Sequence, residues 1–144
     1  MKAGRRIYFS LFMVILALLV LTSCGFKSTE TKRRIDTSVS QFHDRFNNGD
    51  FDLIYDKSDK ELTSKLPKDD VVRYLKAIKN KLGNVSGTKL VDCDGNFSLS
   101  RSLIGCTFQT DFEKGSFTEE FTWNIGEGEI TLWHYKVRAW IPLS

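Results

Sequence analysis

The apolar positions of this chain fall into three stretches with different periods. Residues 7–21 are nearly all apolar, residues 35–82 carry apolar residues at helical spacing, and from Val85 onward the pattern alternates. In the middle stretch, Ile35, Val39, Phe42 and Phe46 recur at i, i+4, i+7 and i+11, one face of a helix. Gly49 is the expected stop. Asp50 is the expected cap of a short second turn, FDLIYDKS, that brings Phe51, Ile54 and Tyr55 together. Pro67 suits a first helical position, with Asp69 and Asp70 favourable near the positive end of the helix dipole. From there Val71, Leu75, Ile78 and Leu82 repeat the stripe until Gly83.

After Gly83 the period is two. Val85, Lys89, Val91 and Cys93 share one face of a strand; Ile104, Cys106, Phe108 and Phe112 share a face of the next; Phe117, Phe121, Trp123 and Ile125 share a face of the third. Glu113-Lys114-Gly115-Ser116 reads as a four-residue hairpin loop, setting Phe112 opposite Phe117, Phe108 opposite Phe121 and Cys106 opposite Trp123. Gly126-Glu127-Gly128 turns the chain again. With Glu127-Gly128 as a two-residue loop, Ile125 faces Ile130, Trp123 faces Leu132 and Phe121 faces His134; a one-residue slip would pair Trp123 with Trp133 instead. If Phe108 lies opposite Val91, Cys106 lies opposite Cys93 on the same face.

Helices followed by an antiparallel sheet make an α+β order. The expected domain, residues 35–144, has N-terminal helices packed on a curved antiparallel sheet of about four strands. The segments FNNGDFDLIYD, VVRYLKAIKNKLGNV with its Leu-Gly ending, TFQTDFEKGSFTEEFTW and ITLWHYKV follow one another over about 100 residues. In that order they resemble the nuclear-transport-factor-2-like, or cystatin-like, cone fold, and within it a bacterial family of exported domains of unknown function. Ile130 stands where that family usually has tryptophan and His134 where it usually has glycine, and the cysteine pair is not general in it. The family offers no established catalytic residues to carry over.

The continuous apolar stretch has its own meaning. Lys2, Arg5 and Arg6 precede it and no acidic residue occurs before Glu30. Ile7–Leu21 makes about 22 Å of helix at 1.5 Å per residue, short of the roughly 20 residues of a stable membrane span. This is the form of a secretory signal. Leu21-Thr22-Ser23-Cys24 resembles the lipobox of bacterial lipoproteins, which implies cleavage between Ser23 and Cys24 and lipidation of Cys24 by diacylglycerol and palmitate-type chains. An uncleaved N-terminal anchor is disfavoured by the short apolar run. An ordinary secretory signal is disfavoured because its sites look like A-x-A. Two or more chains anchor stably where one holds marginally. Gly25, not aspartate, follows the cysteine. By resemblance to Gram-negative lipoproteins this favours the outer membrane facing the periplasm over the inner membrane, and a Gram-positive surface is the other possibility.

Cleavage changes the charge balance. Of 21 basic and 18 acidic residues, three basic ones lie in residues 1–23, which leaves 18 against 18. The basic pI therefore belongs to the signal, and a nucleic-acid partner is not indicated. The mature chain is long enough for one core, with residues 24–34 as a polar tether of about ten residues. In an oxidising compartment Cys93 and Cys106 are candidates for a disulfide, the alternative being two reduced, buried thiols. No third or fourth ligand at useful spacing accompanies them, so no metal site is expected, and no cofactor.

Little else carries chemistry. There is no G-x-S-x-G, Gly-rich phosphate loop or H-E-x-x-H. His134, on the apolar side in the register above, is the one weak candidate for a general acid or base. It would serve an isomerase- or dehydratase-like reaction of the kind some cone-fold relatives perform, although fold alone does not confer it. His43 reads as a flanking residue beside Phe42, and Asp44 as solvent-facing. The other reading is a binding or interaction module whose cone is mostly filled by aromatic side chains. Its last strand looks apolar on both faces, Ile130 and Leu132 on one, Trp133, Tyr135, Val137 and Ala139 on the other. A second buried face would need self-association, an envelope partner, or the protein's own terminus to cover it.

Overall fold

The computed structural model describes residues 23–98, 101–126 and 128–139. Among these, helices come first: α1 (Ser23–Asn48), α2 (Phe51–Asp56), α3 (Lys60–Lys65) and α4 (Lys68–Leu82). Four strands follow: β1 (Val85–Ser98), β2 (Arg101–Phe112), β3 (Gly115–Ile125) and β4 (Ile130–Ala139), in one antiparallel sheet ordered β1-β2-β3-β4. The fold is α+β, helices then sheet. Apart from Ser23, the segment read as an export signal lies outside the described residues, as do Glu127 and the side chain of Cys24.

The chain divides into two compact units, residues 1–36 and 37–144. The described part of the first is the start of α1. Residues 24–34, expected to be a tether without pattern, are helical. An apolar stripe is not required for this. Glu30 pairs with Arg33 one turn on, and Lys32 with Asp36 at i,i+4, each at 2.6 Å, and such pairs support an exposed helix.

In the second unit α1 buries Val39, Phe42 and Phe46, as the stripe predicts. Phe42 meets Phe121 edge-on with ring centroids 5.1 Å apart, and Phe46 meets Phe112 at 6.1 Å. At the helix end, Lys79 Nζ donates to the carbonyls of Phe46 and Asn47, satisfying groups the helix itself leaves open. Asn47 exchanges hydrogen bonds with the backbone of Val85, which fixes where β1 starts.

Two details of the short helices differ from expectation. Asp50 makes no side-chain cap to α2; only its carbonyl accepts, from the amide of Ile54. Helix α3 was not legible, because it buries a single apolar residue, Leu62, and one residue has no period. Its cap is Asp59, whose side chain accepts from the amide of Glu61 at 2.9 Å. The other carboxylate oxygen accepts from Asn124 and Thr131, tying α3 to the β3–β4 hairpin. Helix α4 starts one residue later than expected, with Pro67 outside it, and buries Leu75, Ile78 and Leu82.

The strand registers need three corrections. The β2–β3 loop is two residues, Glu113 and Lys114, so Phe112 pairs with Gly115, Phe108 with Glu119 and Cys106 with Phe121. The amides of Glu113 and Lys114 donate to Asn84 and Leu82, pinning the turn to the end of α4. Gly83 permits this approach: at φ 85° it would otherwise set a Cβ 2.7 Å from Glu113 Cβ. Because the slip is two residues, every side chain keeps its face. Between β1 and β2 an irregularity at Val91 places Leu90, not Val91, opposite Phe108, and Val91 is exposed. Cys93 nonetheless lies opposite Cys106.

The third correction matters most. Ile125 pairs with Ile130 and Trp123 with Leu132 as expected, but a bulge at Trp133 shifts the rest, so Thr122 meets His134 and Phe121 meets Tyr135. Leu132 and Tyr135 therefore share the face that packs on Phe42 and Phe121, while His134, Lys136 and Arg138 are exposed. β4 has one apolar face, and it is an edge strand. Trp133, Tyr135 and Val137, expected to form an outer apolar face, are half-buried, and Tyr135 turns toward Phe42 and Phe121. The residues of the opposite sheet face include Thr107, Gln109, Thr118, Glu120 and Thr122, which suits a solvated face.

Candidate functional site

The β3 pattern Phe117, Glu119, Phe121, Trp123 puts a carboxylate in the middle of an apolar face. Glu119 is fully buried, at 0% exposure. Such a group is tolerated only with hydrogen-bond partners, and three converge on it. His43 Nε2, from α1, lies 2.7 Å from Oε2. Thr110, from β2, donates to the same oxygen at 2.6 Å, and Tyr135, from β4, donates to Oε1 at 2.6 Å. Thr110 has spent its single proton on Glu119, so Thr88 of β1, 2.8 Å away, is the donor to Thr110. The cluster links α1 to all four strands.

Thr110 and Tyr135 reach Glu119 as diagonal neighbours, a consequence of the two-residue β2–β3 turn and of the bulge at Trp133. Burial raises the tyrosine's ionisation well above the usual value, and the nearby Glu119 carboxylate raises it further.

Two cavities lie between the helices and the β3–β4 side of the sheet. One, of about 280 Å³, is mostly apolar and lined by Leu62, Leu66, Val71, Leu75, Trp133 and Tyr135, among others. Tyr135 thus stands between the cavity and Glu119. The other, of about 290 Å³, carries Gln41, Arg45, Lys57 and Glu129 over a floor that includes Trp123. Aromatic rings fill the space over β2 and β3, with Phe121 stacked on Trp123 at 5.4 Å and edge-on to Phe108 at 5.7 Å.

Of the residues singled out in the sequence, Cys93 and Cys106 are joined by a disulfide, S–S 2.05 Å. His134 is exposed at the rim of the apolar cavity, because the bulge turned it out and Tyr135 in. His43, expected to be a flanking residue, is buried and bound to Glu119. Sequence reasoning missed Glu119 and Thr110, although their signal was present: each occupies an inward position between two aromatic residues of a strand. Among the described residues no cluster of three His, Cys, Asp or Glu side chains is arranged to hold a metal ion, and no helix is long and apolar enough to cross a membrane. No protein-family model matches this chain, and no curated protein matches it.

Proposed function

We propose that this chain is a lipid-anchored envelope protein whose α+β domain is a binding module for a small, largely apolar ligand. The observation that carries the reading is the apolar cavity of about 280 Å³ between α3, α4 and β4. Cavities of that character, mostly apolar with a few polar groups at the rim, are the usual form of small-molecule sites. Ser58, Asp70 and His134 supply the polar rim. Helices covering one face of an antiparallel sheet, with a pocket left between the layers, also support the resemblance to the curved nuclear-transport-factor-2-like cone. The isomerase alternative draws less support: His134 lies at the exposed rim of the cavity instead of inside it, and Glu119 is committed to three partners.

Binding is tested by titrating octanol into the protein and following tryptophan fluorescence, since Trp133 lines the cavity. Saturable quenching or enhancement is expected, and Val71→Phe should weaken it by roughly tenfold or more, because the ring occupies volume the ligand would need. An unchanged response in the variant would overturn the cavity as the site.

The anchor rests on the Leu21-Thr22-Ser23-Cys24 motif and the short apolar run before it, with Gly25 favouring an outer membrane. Helical residues after Cys24 would act as a stiff spacer, not a loose tether, between the acyl chains and the domain. Metabolic labelling with palmitate should mark the wild-type chain and be lost in Cys24→Ser; labelling that persists in the variant sinks the anchor.

A further inference from the structure

We propose that α3 is a lid on the apolar cavity, pivoting on Asp59 and Pro67 and latched by the Tyr55 hydroxyl; this rests on the binding reading above. Leu62, within α3, and Leu66, just after it, both line the cavity, so a displacement of α3 moves part of its wall. The helix has little of its own to hold it. Its six residues are far fewer than the roughly 12–15 at which an isolated helix persists in water. Of its side chains, Leu62 alone is buried. Segments with so few buried apolar contacts lie at the low-stability end of a fold, where lids are found. The two flanks of α3 differ from its middle. Asp59 is fixed to the sheet: its amide donates to the Leu132 carbonyl at 2.8 Å, and its carboxylate accepts from Asn124 and Thr131. On the other flank Leu66 and Pro67 are both extended, with ψ 123° and 142°, before α4 begins at Lys68. Pro67 has no N–H to tie this joint down. A pinned residue on one side and a short extended joint on the other let α3 swing about the line between them, carrying Leu62 out of the cavity.

The latch comes from α2. The Tyr55 hydroxyl lies 2.9 Å from the carbonyl of Thr63 and 2.9 Å from that of Leu66, so it grips the last turn of α3 and the residue beyond. It has one proton to donate, which the two carbonyls share. The bond to Leu66 lies at the surface, and Leu66 is 49% exposed. Water can therefore take over the carbonyls when the lid lifts, and closure rests on a hydrogen bond of ordinary net strength.

The experiment uses the full-length chain in lipid nanodiscs, with empty nanodiscs subtracted, and octanol as the probe. Stopped-flow tryptophan fluorescence gives the entry and exit rates, and equilibrium titration gives Kd. Losing one hydrogen bond should raise the open population about fivefold. Tyr55→Phe should then speed entry and exit by about fivefold each and leave Kd within about twofold, since both rates pass through the open state. In the unaltered chain, saturating octanol should slow amide exchange of residues 60–66 more than that of α4. Should Tyr55→Phe lower the thermal midpoint, this second measurement decides without a variant. Unchanged rates in Tyr55→Phe overturn the lid and leave the cavity in place as a binding site. So does faster exit with unchanged entry, which would make Tyr55 a support of the bound state and not a latch. Exchange at 60–66 that octanol does not slow overturns the lid as well. If octanol does not bind at all, the binding reading itself fails and the lid with it.

Discussion

Glu119→Ala is expected to lower the unfolding free energy by about 3–5 kcal/mol, the range seen when one member of a buried charged network is removed. The loss comes less from the contacts deleted than from the groups left behind. His43, Thr110 and Tyr135 would each face a dry interior without their partner, at about 1–3 kcal/mol for each group that finds no replacement. Glu119→Gln keeps the shape and one acceptor oxygen and should cost roughly 1–2 kcal/mol. Chemical denaturation of the three proteins checks the order. A loss confined to alanine, with glutamine as stable as the unaltered chain, would show that packing volume, not hydrogen bonding by the second oxygen, is what Glu119 supplies.

The same cluster fixes a pH dependence. In the folded chain Tyr135 ionises well above the usual value of 10.0, chiefly through burial. In the unfolded chain it ionises normally. Below the unfolded value both states hold the proton, and the tyrosine's contribution to stability is fully present. As pH rises beyond it, only the unfolded state releases the proton, so stability falls progressively above about pH 10. Tyr135→Phe should flatten that alkaline decline, at the cost of one hydrogen bond to Glu119, about 1.5–3 kcal/mol at neutral pH. A decline of unchanged steepness would assign it to other groups.

The sequence carried the layers and faces of this fold but not its local offsets, and the reason is the same in each case. Periodicity reports which face a residue occupies. It is blind to a two-residue slip, which keeps faces, and it is misled by a one-residue bulge, which exchanges them. The β2–β3 slip was harmless: Ile104, Cys106, Phe108 and Phe112 are all buried as expected. The bulge at Trp133 was not. It moved His134 outward and brought Tyr135 to Glu119. Glu119 itself was legible as an inward carboxylate between Phe117 and Phe121. Its partner His43 was not, since that requires knowing which helix face meets which strand.

Removing the disulfide should cost about 3 kcal/mol, the chain-entropy value for a cross-link closing a loop of this size. Cys93 and Cys106 are 13 residues apart and directly opposite in the β1–β2 ladder. Cys106 is buried at 2% exposure, whereas Cys93 lies in an exposed stretch from Val91 to Gly95. The bond therefore joins the core to a part of β1 that has few apolar contacts of its own. Its loss should be felt unevenly. In Cys93→Ala/Cys106→Ala, amide exchange is expected to accelerate most for residues 94–98 and 101–105, which pair beyond the cross-link, and little around Glu119. The bulge at Val91 interrupts the ladder just before Cys93, so the pairs from Asp94–Gly105 to Ser98–Arg101 are set off from the rest of the β1–β2 ladder once the cross-link is gone. Uniform acceleration across the sheet would instead mean that the disulfide stabilises the domain as one cooperative unit. Unchanged exchange together with an unchanged unfolding free energy would show that the β1–β2 pairing holds without it.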